Sequence, residues 1–244
     1  MRKLLITMFA GMLVVFTCTC YAQSGPVDHF HKAIISPYIQ VTFIEGDQER
    51  VTINQAIVDT GKLHVEVKDG TLRLYLDGVK DIPHNQRDED NQSHPLYPNH
   101  AVIATVVYKK LDALSLRGEE TYLCESPISQ DEFTLRVYGE SKVIFTEVHI
   151  GEMHTTIYGE SSLDVKTGTI NKQYYTCYGE SKINTTTITG QEARITAYGE
   201  AELKVNVSDR IKITSFGEAK LRYMGNPVIS KGIHFGGVDL QKIE

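Results

Sequence analysis

Apolar and polar residues alternate along much of this chain, and from residue 111 onward the alternation repeats itself. Gly118, Gly139, Gly159, Gly179, Gly199 and Gly217 can each serve as an origin. Two residues before them stand Leu116, Val137, Ile157, Cys177, Ala197 and Ser215. Four before stand Leu114, Leu135, Thr155, Tyr175, Ile195 and Ile213, and four after stand Tyr122, Val143, Leu163, Ile183, Leu203 and Leu221. Even offsets are mostly apolar, while odd offsets carry Tyr, Glu and often Lys. Such period-2 alternation predicts strands with one buried face.

The glycines are 21, 20, 20, 20 and 18 residues apart. A fixed period of this size predicts a solenoid in which each repeat is one coil stacked on its neighbours. Twenty residues are too few for a strand, a crossover helix and their loops, but enough for two or three short strands. Coils of that kind pair in parallel at about 4.8 Å. The predicted class is therefore all-β, a parallel β-helix. In the alternative, an antiparallel meander of hairpins, equivalent positions would not stack in one column.

Each coil carries one motif: Tyr138-Gly139-Glu140-Ser141, Tyr158-Gly159-Glu160-Ser161, Tyr178-Gly179-Glu180-Ser181, Tyr198-Gly199-Glu200-Ala201 and Phe216-Gly217-Glu218-Ala219. The parity runs through it, so the glycine and the following Ser or Ala are expected to point into a narrow corner. Turns are expected near Glu147, Thr167 and Thr187, where the alternation changes phase.

The rest of the chain divides around these coils. Residues 1–22 read as a signal peptide: Arg2 and Lys3, an apolar run from Leu4 to about Val15, then Cys20-Tyr21-Ala22 as a cleavage site. The run is short for a membrane anchor, and the residues before Cys18 and Cys20 fit a lipoprotein signal poorly. Residues 23–244 then form a single β-helix domain with no transmembrane segment. Within it, 27–110 are lead-in strands that begin the stack and cover its first edge, with a hairpin at Asp69-Gly70. Residues 81–100, with three prolines and almost no apolar residue, are expected as an exposed loop. Residues 111–222 are the regular coils, and 223–244 a cap that begins at the Asn226-Pro227 turn.

Composition changes this picture in two places. The net charge of −6 becomes −8 once the leader is removed, since Arg2 and Lys3 go and no acid does. That is a poor match to nucleic acid, which needs a basic surface. Only Cys124 and Cys177 outlast the leader. They fall at least two coils apart, roughly 10–14 Å along the axis, beyond the reach of a disulfide, so two buried free thiols are expected. In the loop, His84, Asp88, Glu89, Asp90, His94 and His100 match no metal-ligand spacing.

Val51-Thr52-Ile53, Asp69-Gly70-Thr71-Leu72, Leu111-Asp112-Ala113-Leu114, the coil repeats and Tyr223-Met224-Gly225-Asn226-Pro227 together resemble the head GIN domain family of auto-transporter adhesins. The resemblance spans essentially the whole mature chain. It implies a right-handed parallel β-helix and an envelope location, periplasm or cell surface, and it brings no catalytic residues. Where family members commonly show Gly-Ser-Gly at the corner, this chain has Gly-Glu-Ser.

The candidate chemistry lies on the outward columns. Glu119, Glu140, Glu160, Glu180, Glu200 and Glu218 stack carboxylates that repel by roughly 1 kcal/mol per neighbouring pair in water. Lys142, Lys182 and Lys220, two residues on, are the expected counter-charges; the alternative is a bound cation such as calcium, which takes oxygen ligands. Tyr138, Tyr158, Tyr178, Tyr198 and Phe216 run beside them. These rings either stack on one another and shield the backbone, or form an aromatic strip for a glycan or another protomer. No cofactor is expected. Uniform columns read as binding, so the expectation is a non-enzymatic module with a glycan, an envelope or host protein, or a second copy as partner. A polysaccharide lyase or glycosidase on the same scaffold is the alternative, and it would need a carboxylate pair that breaks the repeat.

Overall fold

The computed structural model describes residues 23–79, 86–87, 93–94, 96–97 and 100–244. The expected leader and most of the 81–100 loop, including His84, Asp88, Glu89 and Asp90, lie outside them. Nineteen of the described strands join one sheet that winds into a parallel β-solenoid of about 20 residues per turn. Leu114, Leu135, Thr155, Tyr175, Ile195 and Ile213 stand in register in one buried column, as the alternation predicts. Full burial of each large apolar side chain in such a column contributes about 1.5–3 kcal/mol.

Each regular coil has three short walls. The first runs into the motif, as in residues 152–159. The second follows it, as in Ser162–Val165, and the third is residues 168–170. Breaks fall at 146–147 and 166–167, where the phase change predicts them, and a further corner at 131–132 and 151–152 interrupts the pairing. Cys124 and Cys177 are both buried free thiols. Burial pushes the Cys177 thiol up to about 11 and raises Cys124 further, which keeps both protonated and unreactive.

The glycines occupy the corner for a different reason from the narrowness that the sequence pattern implies. Gly139 and Gly159 have φ of +108° and +106°, a region in which a side chain is strained. This backbone turn aims the Gly139 carbonyl along the solenoid axis, where it accepts from Glu160 N and Ser161 Oγ of the next coil, both at 2.9 Å. Gly118 O likewise accepts from Glu140 N at 3.0 Å and Ser141 Oγ at 2.8 Å. A Cβ on Gly159 would lie 2.3 Å from that Gly139 oxygen. The buried serine thus staples one coil to the last. At Ser181 the hydroxyl makes no such bond to a carbonyl among the described residues and lies against Cys177 instead, and the two later coils carry Ala201 and Ala219 there.

The first half departs from chain order. Lys32–Ile35 is flanked in parallel by Thr71–Leu76 on one side and Ala113–Gly118 on the other. Ile39–Glu45 is flanked in the same way by Val102–Tyr108 and Thr121–Cys124. The strands at 71–76 and 102–108 therefore lie outside those at 32–35 and 39–45, and the chain steps back past the latter at 109–112 to continue. The expected hairpin forms, with Asp69 and Gly70 both at positive φ, and its antiparallel strand Leu63–Lys68 covers the outer edge. Arg50–Ala56 and Gln23–Pro26 cover the second wall, also antiparallel. Leu96 and Tyr97, at the end of the expected loop, pack on the core, Tyr97 edge-on to Tyr38 at 5.2 Å.

At the other end the segment expected to cap adds one more parallel coil. Val228–Phe235 and Val238–Lys242 both pair with Arg210–Met224. Ile229, Val238 and Leu240 close over the core, and Lys231, in register with Ile213, is exposed on this last coil. A charge on an edge strand discourages further edge pairing.

One corner is built otherwise. Glu120 stands where later coils have Ser, beside a coil that has no glycine there, with Tyr38 itself at φ +68°. Its carboxylate accepts from Tyr38 N at 2.7 Å and Glu119 N at 2.9 Å, and Tyr122 Oη lies 3.3 Å away. Burial outweighs these bonds and raises its pKa above the ordinary 4.5.

Two predictions follow from the corners. Gly159→Ala should cost about 1–3 kcal/mol from backbone strain, before any clash is counted. In a chain of this length that is a fall of roughly 2–12 °C in melting temperature by circular dichroism; a melt within a degree of wild type would contradict the axis-directed carbonyl. For Glu120, a raised folded-state pKa means its contribution is complete below about pH 4.5 and declines as pH rises through the folded value. The stability of wild type relative to Glu120→Gln should therefore shrink between pH 4 and pH 7 in urea titrations. A constant or growing difference would show that the carboxylate is not held in a desolvated site.

Candidate functional site

The first wall and the corner after it carry the outward columns. Because coils pair residue to residue, Tyr138, Tyr158, Tyr178, Tyr198 and Phe216 come into register. Their rings stack at centroid separations of 4.9, 4.7, 4.8 and 5.0 Å with planes within 5° of parallel. Phe235 extends the ladder at 5.9 Å and 26°. Below it, the Arg117 guanidinium sits 5.7 Å from the Tyr138 centroid. Of the two roles the sequence leaves open, self-stacking is what the geometry displays.

That stacking decides what the ladder can present. Each inner ring has both faces covered by its neighbours, so ring edges and phenol hydroxyls are what face solvent. Tyr158, Tyr178 and Tyr198 are each a little over a third exposed. A sugar ring needs an open aromatic face to stack upon, and within this ladder only Phe235 lacks a partner on one side.

Glu140, Glu160, Glu180, Glu200 and Glu218 project into solvent beside the rings. The expected neutralisation by Lys142, Lys182 and Lys220 does not occur: among the described residues, no ion pair within 4 Å joins these lysines to the glutamate column. The carboxylates follow the corner while the lysines begin the next wall, so the two diverge. Lys142, Ser162, Lys182, Glu202, Lys220 and Asp239 form a column of their own, in which a neutral or acidic residue separates each lysine from the next and limits repulsion. Between the columns runs a shallow groove of about 180 Å³, walled by Glu180, Glu200 and Glu218 on one side and Lys182, Glu202 and Lys220 on the other, over Ser181 and Ala201. Among the described residues, no three His, Cys, Asp or Glu side chains gather as a metal site.

Two further outward columns escaped the sequence reading. Thr156, Thr176, Thr196 and Thr214 stand three before the glycines, and His154, Tyr174, Arg194 and Lys212 five before. The signal for the first lies in the recurring Thr-X-Tyr spacing of Thr156-Ile157-Tyr158, Thr176-Cys177-Tyr178 and Thr196-Ala197-Tyr198. The buried carboxylates outside the repeats are separate. Glu49 is 2.6 Å from His29 Nδ1, and Glu120 is held by backbone N–H groups.

The ladder should carry measurable stability. Changing Tyr158 and Tyr178 together to Ser removes three ring contacts, each worth about 0.5–1.5 kcal/mol. Unfolding free energy should fall by about 2–4 kcal/mol, whereas the corresponding Tyr→Phe pair should fall by under 1 kcal/mol. Equal losses in the two pairs would mean that the hydroxyls, not the stacked rings, hold the ladder.

The sequence model of the family described as "Putative auto-transporter adhesin, head GIN domain" matches residues 29–227. Comparison with curated proteins gives no match. Among solved structures, a putative adhesin from Bacteroides fragilis superposes with a TM-score of 0.76 at 16% identity, covering 93% of this chain and 98% of that one. A putative adhesin from Parabacteroides merdae gives 0.66 at 14% identity, and a putative lipid binding protein from Parabacteroides distasonis 0.65 at 15%, both with the same coverage. At these identities the likeness is one of fold.

Proposed function

The chain belongs to the head GIN domain family, and from that membership we propose that it is an exported, non-enzymatic, adhesin-like binding module of the cell envelope. Its contact surface is the motif edge: the hydroxyls of Tyr138, Tyr158, Tyr178 and Tyr198, the carboxylates of Glu140, Glu160, Glu180 and Glu200, and Lys142 and Lys182 in the column beyond them. The observation that carries this reading is the unbroken ladder, which offers a row of hydroxyls and a row of carboxylates at the spacing of a β-sheet. Such rows favour a partner bound by many similar hydrogen bonds along an extended line. That partner is a glycan chain met through its hydroxyls, not its ring faces, or an extended polypeptide. Repetition also speaks against catalysis, which needs groups made different by their surroundings.

Beads coated with the mature chain, flowed over immobilised mucin, test this. Retention should fall at least fivefold for Tyr158→Phe/Tyr178→Phe combined with Glu160→Gln/Glu180→Gln, with the melting temperature within a few degrees of wild type. Periodate treatment of the mucin separates the partners, since retention that survives it is protein-mediated. Retention unaffected by the four substitutions would remove the motif edge from the function.

A further inference from the structure

The opposite edge of the first wall carries a second and different surface. Its outermost column places Lys172, Glu192 and Arg210 in register on successive coils, and the next column in does the same for Tyr174, Arg194 and Lys212. These residues line a groove of about 330 Å³. Lys172 is committed, with its ammonium 2.6 Å from Glu152 of the preceding coil. Among the described residues, no carboxylate lies within 4 Å of Arg194, Arg210 or Lys212, although Glu192 is a register neighbour of Arg210.

This is an unusual concentration for this chain. Arg194 and Lys212 are direct neighbours in one column, about 4.8 Å apart at the backbone. Arg210 and Lys212 share a face of one strand, two residues apart. Three like charges therefore converge with no carboxylate within 4 Å among the described residues, Glu192 being the one acid that lines the same groove, on a protein whose net charge is −6. Several other surface cations are paired, Lys166 with Asp164, Lys204 with Glu202 at 3.4 Å and Arg222 with Asp239 at 2.8 Å, and Lys142, Lys182 and Lys220 are spaced apart in their column by Ser162 and Glu202, whereas Arg194 and Lys212 are adjacent. Arg194 is also oriented, its guanidinium lying over the Tyr174 ring at 5.7 Å while His154 stacks on the other face at 4.5 Å.

We propose that the groove between Lys172, Arg194, Arg210 and Lys212 binds the anionic group of an acidic glycan, a uronate carboxylate or a sugar sulfate. Two guanidinium forks and an ammonium are the donor set that such planar or tetrahedral anions accept. The size of the anion follows from the surroundings. The three cations that make no ion pair lie on two adjacent coils, roughly 5 Å apart, with Lys172 held by Glu152 and with Glu192 beside them, so one anionic group fits and a continuous polyanion does not. A sugar carrier is favoured by the adjacent column of Thr156, Thr176, Thr196 and Thr214, whose half-buried hydroxyls continue the surface along the wall. The site is independent of the tyrosine edge across the wall and stands or falls separately from it.

Calorimetric titration of the mature chain with three oligosaccharides tests the assignment: a galacturonate tetramer, a chondroitin-type sulfated tetramer and a neutral galactose tetramer. Inorganic sulfate and vesicles of mixed phosphatidylcholine and phosphatidylglycerol complete the set. At least one acidic oligosaccharide should bind tenfold or more tightly than the neutral one, and weaken as salt rises from 50 to 500 mM. Arg194→Ala/Lys212→Ala should reduce that affinity at least tenfold. Arg210→Gln should do so by threefold or more, while Lys142→Ala/Lys182→Ala leaves it unchanged. All the altered side chains are exposed, and unchanged circular dichroism melts will confirm folding. Equal binding of acidic and neutral sugars, or full affinity in the double variant, would overturn the site. Inorganic sulfate binding as tightly as the oligosaccharides would overturn the glycan assignment, as would vesicle binding lost in the double variant without any binding of acidic sugar.

Discussion

The structure depends on one constraint, the vertical hydrogen-bonding of coil to coil through a corner where the backbone must turn without blocking its neighbour. In a parallel stack every strand residue can reach the coil above and below, but a corner residue with ordinary φ directs its carbonyl away from the axis. The positive φ at Gly139 and Gly159 turns that carbonyl along the axis instead, where it accepts from the backbone and from the serine of the next coil. A side chain at this position would occupy the space that the neighbouring oxygen fills. The Gly-Glu-Ser sequence is thus a local solution to satisfying backbone groups at a corner, with the glutamate left outside as the residue the corner does not use.

Once the coils are locked in register, the surface follows from repetition. Identical residues are brought to sheet spacing whether or not their interactions are favourable. Rings gain from this, since their stacking geometry matches the spacing. Carboxylates do not, and remain exposed, where water screens them. The lysines two residues on lie on another wall, and neutral or acidic residues of their own column separate them. Charges separated in this way are quiet; the column at Arg194 and Lys212 sets two cations side by side, and that irregularity singles it out.

The two ends are finished by different means. At the first, three antiparallel strands cover the edge, and the coil formed by 32–45 is sandwiched between later segments. Chain order and stacking order separate here because pairing energy depends on which edge is free, not on which segment was made first. At the last, a parallel coil with a register shift and an exposed Lys231 ends the described stack.

Much of this was legible in the residues alone. Period-2 alternation set which side chains face in, the constant spacing of the glycines set the coil length, and Asp69-Gly70 marked the hairpin, because each of these is a local or strictly periodic property. The tyrosine and glutamate columns were legible for the same reason. What the glycines do, which faces of the rings stay open, and whether Glu180 meets Lys182 are matters of direction, and direction at a corner is decided by the folded backbone. The place of 32–45 within the stack and the gathering of Arg194, Arg210 and Lys212 around one groove required the tertiary structure. Both join residues that are distant or differently spaced along the chain, and only the register between coils brings them together.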